Sequence, residues 1–333
     1  MKGLGNARRP PGRTEVARPQ TRTALVDETQ AEQRIDNFLL RELKGVPRGH
    51  VYRLLRSGEV RVNSRRVEAT YRLHPGDRVR IPPVRVARPS GTKPPAPSDP
   101  GLPIVFEDES MLVIDKPAGI AVHGGSGVSF GVIERLRHAR PQARFLELAH
   151  RIDRETSGLL MLAKKRSALT ALHAALREGR VKKRYLTLVN GDWTRGARDV
   201  VLPLRKYLTA NGERRVNVEP GGQESRTRFE RVRNYAGFTL LAAELDTGRT
   251  HQIRVQLAHL GFAIAGDDKY GDFELNRRLA KQGLKRMFLH AAELALAHPA
   301  GTGHVAFKAP LPADLQRFLD GLATAAVADA ATL

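Results

Sequence analysis

Apolar residues recur at helical spacing early in the chain, at Ile35, Phe38, Leu39 and Leu43, and again after Pro47 at Val51, Leu54 and Leu55, with Ser57-Gly58 as a stop. The spacing predicts two short adjacent helices. Val60, Val62 and Val67 then alternate with polar residues around Asn63-Ser64, and Arg78-Val-Arg-Ile81 follows the turn His74-Pro-Gly-Asp77. Short strands therefore complete a unit of about fifty residues. Eight prolines lie between Pro82 and Pro103 with Gly, Ser and Thr among them and hardly a bulky apolar residue, the composition of a semi-rigid linker.

Beyond the linker, strand-like runs (Ile104–Phe106, Met111–Ile114, Gly158–Ala163, Tyr185–Val189, Phe238–Glu244, Leu289–Leu296) intermix with helical ones (Ser129–His138, Ser167–Glu178, Thr250–His259, Ala313–Leu322). Several strands follow one another with no helix between them, which favours an α+β domain on a mixed, largely antiparallel sheet over repeated βαβ units. The expected division is a flexible basic arm over 1–30, a small α/β domain over 31–83, the linker over 84–103, a main domain over 104–322 and a frayed alanine-rich tail over 323–333.

Charge changes the picture. Of 333 residues, 56 are Lys or Arg and 35 Asp or Glu, a net +21, of which +11 falls in the first hundred residues; the excess points to a polyanionic partner. The polar positions of the front unit are crowded with Arg34, Arg41, Lys44, Arg48, Arg53, Arg56, Arg61, Arg65 and Arg66. Phosphate contacts explain that sign bias better than solubility does. The chain has no cysteine, which removes disulfides, thiol nucleophiles and thiolate metal sites and fits a reducing cytoplasm. The apolar runs are far shorter than the roughly 18 residues of a membrane span. A soluble cytoplasmic protein, working as a monomer with no membrane partner, is expected.

No G-x-x-x-x-G-K-[ST] loop and no H-E-x-x-H occurs, so neither a nucleotide cofactor nor a metal is expected. Three polar clusters remain. Glu147-Leu-Ala-His-Arg-Ile-Asp-Arg-Glu-Thr-Ser-Gly158 runs into an apolar strand, so Asp153 either serves chemistry from a loop at a strand end or caps the turn through the amides of Glu155 or Thr156. Asp246-Thr-Gly-Arg-Thr-His-Gln-Ile-Arg-Val-Gln256 turns into a helix one turn into which Arg254 reaches a site or lies on the surface. Lys182-Lys-Arg-Tyr-Leu-Thr-Leu-Val-Asn-Gly191 alternates as a strand, with Tyr185 either a core aromatic or a flat surface for a nucleobase.

The front unit resembles the small RNA-binding domain shared by the fourth small-subunit ribosomal protein and many RNA-modifying enzymes, through Gln33-Arg-Ile-Asp-Asn-Phe-Leu, Val51-Tyr-Arg-Leu-Leu-Arg-Ser-Gly-Glu-Val-Arg-Val-Asn63 and Pro75-Gly-Asp-Arg-Val79. The main domain resembles the pseudouridine synthases that modify ribosomal large-subunit RNA. Asp115-Lys-Pro-Ala-Gly119, His150-Arg-Ile-Asp-Arg-Glu-Thr-Ser-Gly-Leu-Leu160, Lys183-Arg-Tyr185, Thr247-Gly-Arg-Thr-His-Gln-Ile-Arg254, Gly266-Asp-Asp-Lys-Tyr-Gly271 and Leu289-His-Ala291 stand in family order.

That resemblance implies isomerisation of uridine to pseudouridine in 23S rRNA, at three uridines, without a cofactor. It assigns the essential carboxylate to Asp153, the ring packed against the target base to Tyr185, the basic partner to Arg254, and the side chain that fills the gap left by the flipped nucleotide to Arg151. Gln256 stands where histidine is frequent and is expected to modify RNA contacts. Two rivals are an isomerase for another RNA, such as transfer RNA, and an assembly factor that binds rRNA without chemistry. The intact Asp153, Tyr185 and Arg254 trio favours catalysis.

Overall fold

A computed structural model describes residues 21–43, 45–46, 48–84, 101–124, 130–194, 196–209 and 213–330; residues 1–20 of the arm, 85–100 of the linker, 331–333 of the tail, Lys44 and the Arg48 side chain lie outside the described residues. The chain divides into two compact units, 1–92 and 93–333.

In the first unit, β1 (Arg22–Leu25), α1 (Ile35–Glu42), α2 (Arg48–Arg56), β2 (Arg61–Val62) and β3 (Arg78–Ile81) form an antiparallel sheet of order β1-β3-β2 with two helices. Ile35, Phe38 and Leu39 of α1 meet Val51, Leu54 and Leu55 of α2 over Val62, Val79 and Ile81, so both helical stripes and the strand alternation converge on one core. Within the arm expected over 1–30, the described residues 22–26 are not a free segment. Residues 22–25 pair with β3 from Arg22 against Ile81 to Leu25 against Arg78, and Val26 is buried. Main-chain pairing to an open strand edge holds this segment, and its side chains give little periodic signal.

The second unit runs β4 (Ile104–Glu107), β5 (Met111–Lys116), α3 (Val132–Ala139), β6 (Glu147–Leu148), β7 (Ser157–Ala163), α4 (Arg166–Arg177), β8 (Lys182–Asn190), β9 (Arg198–Leu208), β10 (Arg214–Val218), β11 (Gln223–Tyr235), β12 (Phe238–Leu245), α5 (Gln252–His259), α6 (Phe273–Lys281), β13 (Leu289–Ala297), β14 (His304–Lys308) and α7 (Ala313–Ala330). Its eleven strands form one sheet of order β10-β9-β11-β12-β8-β13-β7-β5-β4, with β14 beside β13 and β6 beside β7. Pairing is antiparallel except between β7 and β13.

β7 is buried along its whole length. Leu160 and Leu162 pack on one face with Trp193, Phe229 and Leu257, while Leu159 and Met161 pack on the other against Leu169 and Leu172 of α4. A strand covered on both sides needs a continuous apolar run, which is what Leu159-Leu-Met-Leu-Ala163 supplies. A further cluster joins Leu188 and Leu240 to Leu279 of α6 and Leu315 and Phe318 of α7. The tail expected to fray from residue 323 instead continues α7 to Ala330, in keeping with alanine's helical preference.

Candidate active site

Asp153 sits on the loop between β6 and β7, and the loop is tied down from beneath. The Lys116 ammonium, at the end of β5 and inaccessible to solvent, donates to the carbonyls of Pro117 (2.8 Å), Ile120 (2.9 Å) and Arg154 (3.0 Å). The Gly119 amide donates to the same Arg154 carbonyl at 2.9 Å, and Arg154 Nε returns a bond to the Gly119 carbonyl. Burial pushes the Lys116 amine down to about 7, offset in part by Glu155 and Asp153. At the far end of the loop, Ser157 Oγ lies 2.9 Å from His290 Nδ1 and accepts from Arg286 Nη2 at 2.5 Å. His290 Nε2 donates to the Ala309 carbonyl at 3.2 Å, so Nδ1 is the acceptor and Ser157 donates to it. The Thr156 amide bonds to the Asp153 main-chain carbonyl at 3.2 Å, which leaves the carboxylate outside the turn's own hydrogen bonding.

Arg254 projects from α5, is 3% exposed, and donates Nη1 to Asp153 Oδ2 at 3.1 Å. Its other edge forms a fork on Asp267, with Nε to Oδ2 at 2.7 Å and Nη2 to Oδ1 at 2.6 Å, and Nη2 also reaches Asp268 at 3.4 Å. Asp267 is 0% exposed, and it further accepts from the amides of Lys269 and Tyr270. Burial would raise the Asp267 carboxyl, but the guanidinium and those amides hold it below its ordinary value. Burial likewise works against the charge on Arg254, and the paired carboxylates push its value well above the ordinary one.

Asp267 lies in the Gly266-Asp-Asp-Lys-Tyr-Gly271 motif, whose sequence alone gives it no role. The available signal was physical: a buried arginine needs more than one carboxylate oxygen to satisfy its fork.

α5 begins at His251 in the left-handed region (φ 54°). The Gln252 side chain fixes that turn, accepting from Thr247 Oγ1 and the Arg249 amide and donating to the Arg226 carbonyl and Thr227 Oγ1. His251 Nδ1 lies 2.8 Å from the Tyr270 hydroxyl and Nε2 lies 3.9 Å from Asp153 Oδ1. Gln256, two residues past Arg254, is 0% exposed and bonds Ser225 Oγ at 2.9 Å. It faces β11 from inside the fold and offers no exposed side-chain surface.

Tyr185 lies on β8 between Ala243 of β12 and Ala291 of β13. It is 7% exposed, and burial, reinforced by the Asp153 charge, raises its hydroxyl well above the ordinary tyrosine value. Asp153, Tyr185, Arg254, His251 and Arg151 all line one cleft of about 560 Å³. The arrangement places a carboxylate held by a fixed guanidinium beside an aromatic ring, at a cleft wide enough for a nucleobase and sugar.

The front-unit arginines separate. Arg34 is tied to Asp36 at 2.7 and 3.2 Å, Arg61 donates to the Gly58 and Ser64 carbonyls, and Arg66 donates to the Ser57 carbonyl. Arg53, Arg56 and Arg65 are exposed, and Arg48 opens α2. Buried Asp36, which also accepts from the Tyr52 hydroxyl at 2.9 Å, was not read from the sequence.

Residues 110–259 match the family model described as RNA pseudouridylate synthase, and residues 33–79 match the S4 domain. The chain belongs to the RNA pseudouridine synthases, with an S4 RNA-binding domain in front. It is 51% identical to ribosomal large subunit pseudouridine synthase C of Escherichia coli, over 92% of this chain and 98% of that protein. It is 49% identical to the protein of that name from Pasteurella multocida, over 92% of this chain and 96% of that one. Among solved structures, human RNA pseudouridylate synthase domain containing 4 superposes with a TM-score of 0.55 at 23% identity, covering 66% of this chain and 92% of that one, a likeness of fold.

Proposed function

We propose that this enzyme converts uridines of 23S rRNA to pseudouridine, three of them, with Asp153 as the nucleophile acting on the ribose of a flipped nucleotide. The reaction breaks the bond from N1 of uracil to C1′ and joins C5 to the same carbon. The C5 proton is then lost and N1 regains one, so atoms balance with no redox partner. Breaking a glycosidic bond builds positive character on the sugar and negative charge on the base, and a carboxylate at the sugar stabilises the first.

Arg254 holds Asp153 in place. Tyr185 supplies the ring on which the extruded base rests, and Arg151 fills the vacated stack, which together offset the few kcal/mol of flipping. Arg34, Arg48, Arg53, Arg56, Arg61, Arg65 and Arg66 supply phosphate contacts from the S4 domain, Arg34 with part of its charge already taken by Asp36. The protein acts as a cytoplasmic monomer.

The observation that carries this reading is the 3.1 Å contact of Arg254 with Asp153 in the cleft that Tyr185 also lines. The test is a map of pseudouridines in rRNA from cells with the wild-type protein, without it, and with Asp153→Asn. Three sites vanish in both defective strains. Sites that persist with Asp153→Asn would overturn the mechanism.

A further inference from the structure

Lys183 precedes Tyr185 by two residues on β8, so both side chains leave the same face of the strand, about 7 Å apart. It lines the same cleft and is 5% exposed. Among the described residues, no hydrogen bond and no ion pair within 4 Å holds its ammonium. The carboxylate that acts on it is Asp246, itself exposed to solvent. The neighbouring imidazole of His150 offers nothing, because its Nε2 already accepts the Met161 amide at 3.0 Å. Arg177 and His173 of α4 line the same cleft.

A buried cation without a partner lowers stability, so its presence at a site calls for a ligand that repays it. Burial indeed pushes the Lys183 amine below its ordinary value, against the pull of Asp246. Three N–H donors with no acceptor, in a cleft that Arg177 also lines, match an acceptor-only oxyanion.

We propose that the part of the cleft at Lys183 is a phosphodiester subsite, in which Lys183 binds a backbone phosphate flanking the nucleotide seated on Tyr185, in a cleft that Arg177 also lines. This rests on the reading that the cleft receives a flipped nucleotide. Lys183 is then a substrate-binding residue that trades stability of the free enzyme for grip on RNA.

The experiment compares full-length wild type, Lys183→Met and Lys183→Arg in two measurements: thermal unfolding of the free protein, and binding to an unmodified 23S rRNA transcript across a KCl series with transfer RNA as competitor. Methionine keeps the apolar stem and removes the charge, so Lys183→Met melts a few degrees higher than wild type. It binds about tenfold more weakly at low salt, and its log–log salt slope is shallower by about 0.7, one phosphate contact on a single strand. Lys183→Arg recovers most of the affinity. A lower melting temperature for Lys183→Met, which marks a structural lysine, overturns the proposal, as does wild-type affinity with an unchanged slope. Binding is read without turnover, so a chain that binds RNA but forms no pseudouridine counts against the isomerase reading and leaves the Lys183 result standing.

Discussion

At the scale of residues, the guanidinium of Arg254 is held by Asp267 more than by Asp153: two short bonds against one of 3.1 Å. Replacing Asp267 with asparagine leaves a buried cation half satisfied, and urea unfolding should show a loss of roughly 3 to 5 kcal/mol. Asp153→Asn, at the more open end of the group, should cost far less stability while abolishing conversion.

His150 carries a pH dependence. Burial, with the Lys183 charge, pushes its imidazole down to about 4 from an ordinary value near 6.5, and its Nε2 accepts an amide that a proton there would displace. Between those two values the unfolded chain binds the proton and the folded chain does not, so stability rises with pH across that window. It is present in full above about 6.5 and lost towards pH 4, by up to roughly 3 kcal/mol. His150→Asn should flatten that part of an unfolding-versus-pH curve. An unchanged curve would show that His150 titrates normally.

At the scale of elements, the parallel pair of β7 with β13 sets where the candidate nucleophile loop ends. Gly158 makes the approach possible: its φ is +107°, and a Cβ there would stand 2.3 Å from the Ala291 carbonyl oxygen. Gly158→Ala should lose at least about 2 kcal/mol in chemical denaturation and most of its activity, because Ser157 and the loop before it must shift.

The elements legible in the sequence are those whose burial is simple. β7, β8, β12 and β13 announce themselves by apolar runs, and α1, α2 and α4 by one apolar stripe. β9, β10 and β11 did not. Along β11 the inward positions include Ser225 and Thr227, and the outward ones carry Arg226, Arg228 and Glu230, so the period-2 contrast is polar against charged. Within the site, motif resemblance brought Asp153, Tyr185 and Arg254 into view. Asp267 and the Lys116 anchor stayed hidden, since each takes its part from a partner distant in sequence, Arg254 for the one and the Arg154 carbonyl for the other.

For the whole molecule, an excess of 21 positive charges makes binding a salt-sensitive event. If about six phosphates are neutralised on a largely single-stranded site, log K should fall with log salt at a slope near −4 to −5. Removing residues 1–83 should flatten that slope and weaken binding, with residual isomerisation, as measured by filter retention and by tritium release from C5 of labelled uridine. The turnover step should behave differently. Because Asp267 already offsets the charge on Arg254, the carboxylate proposed to react meets a guanidinium whose charge is balanced from behind. Ions in the medium cannot screen a balance struck inside the fold, so at saturating RNA the single-turnover rate should stay level through a salt range that strips away most of the affinity.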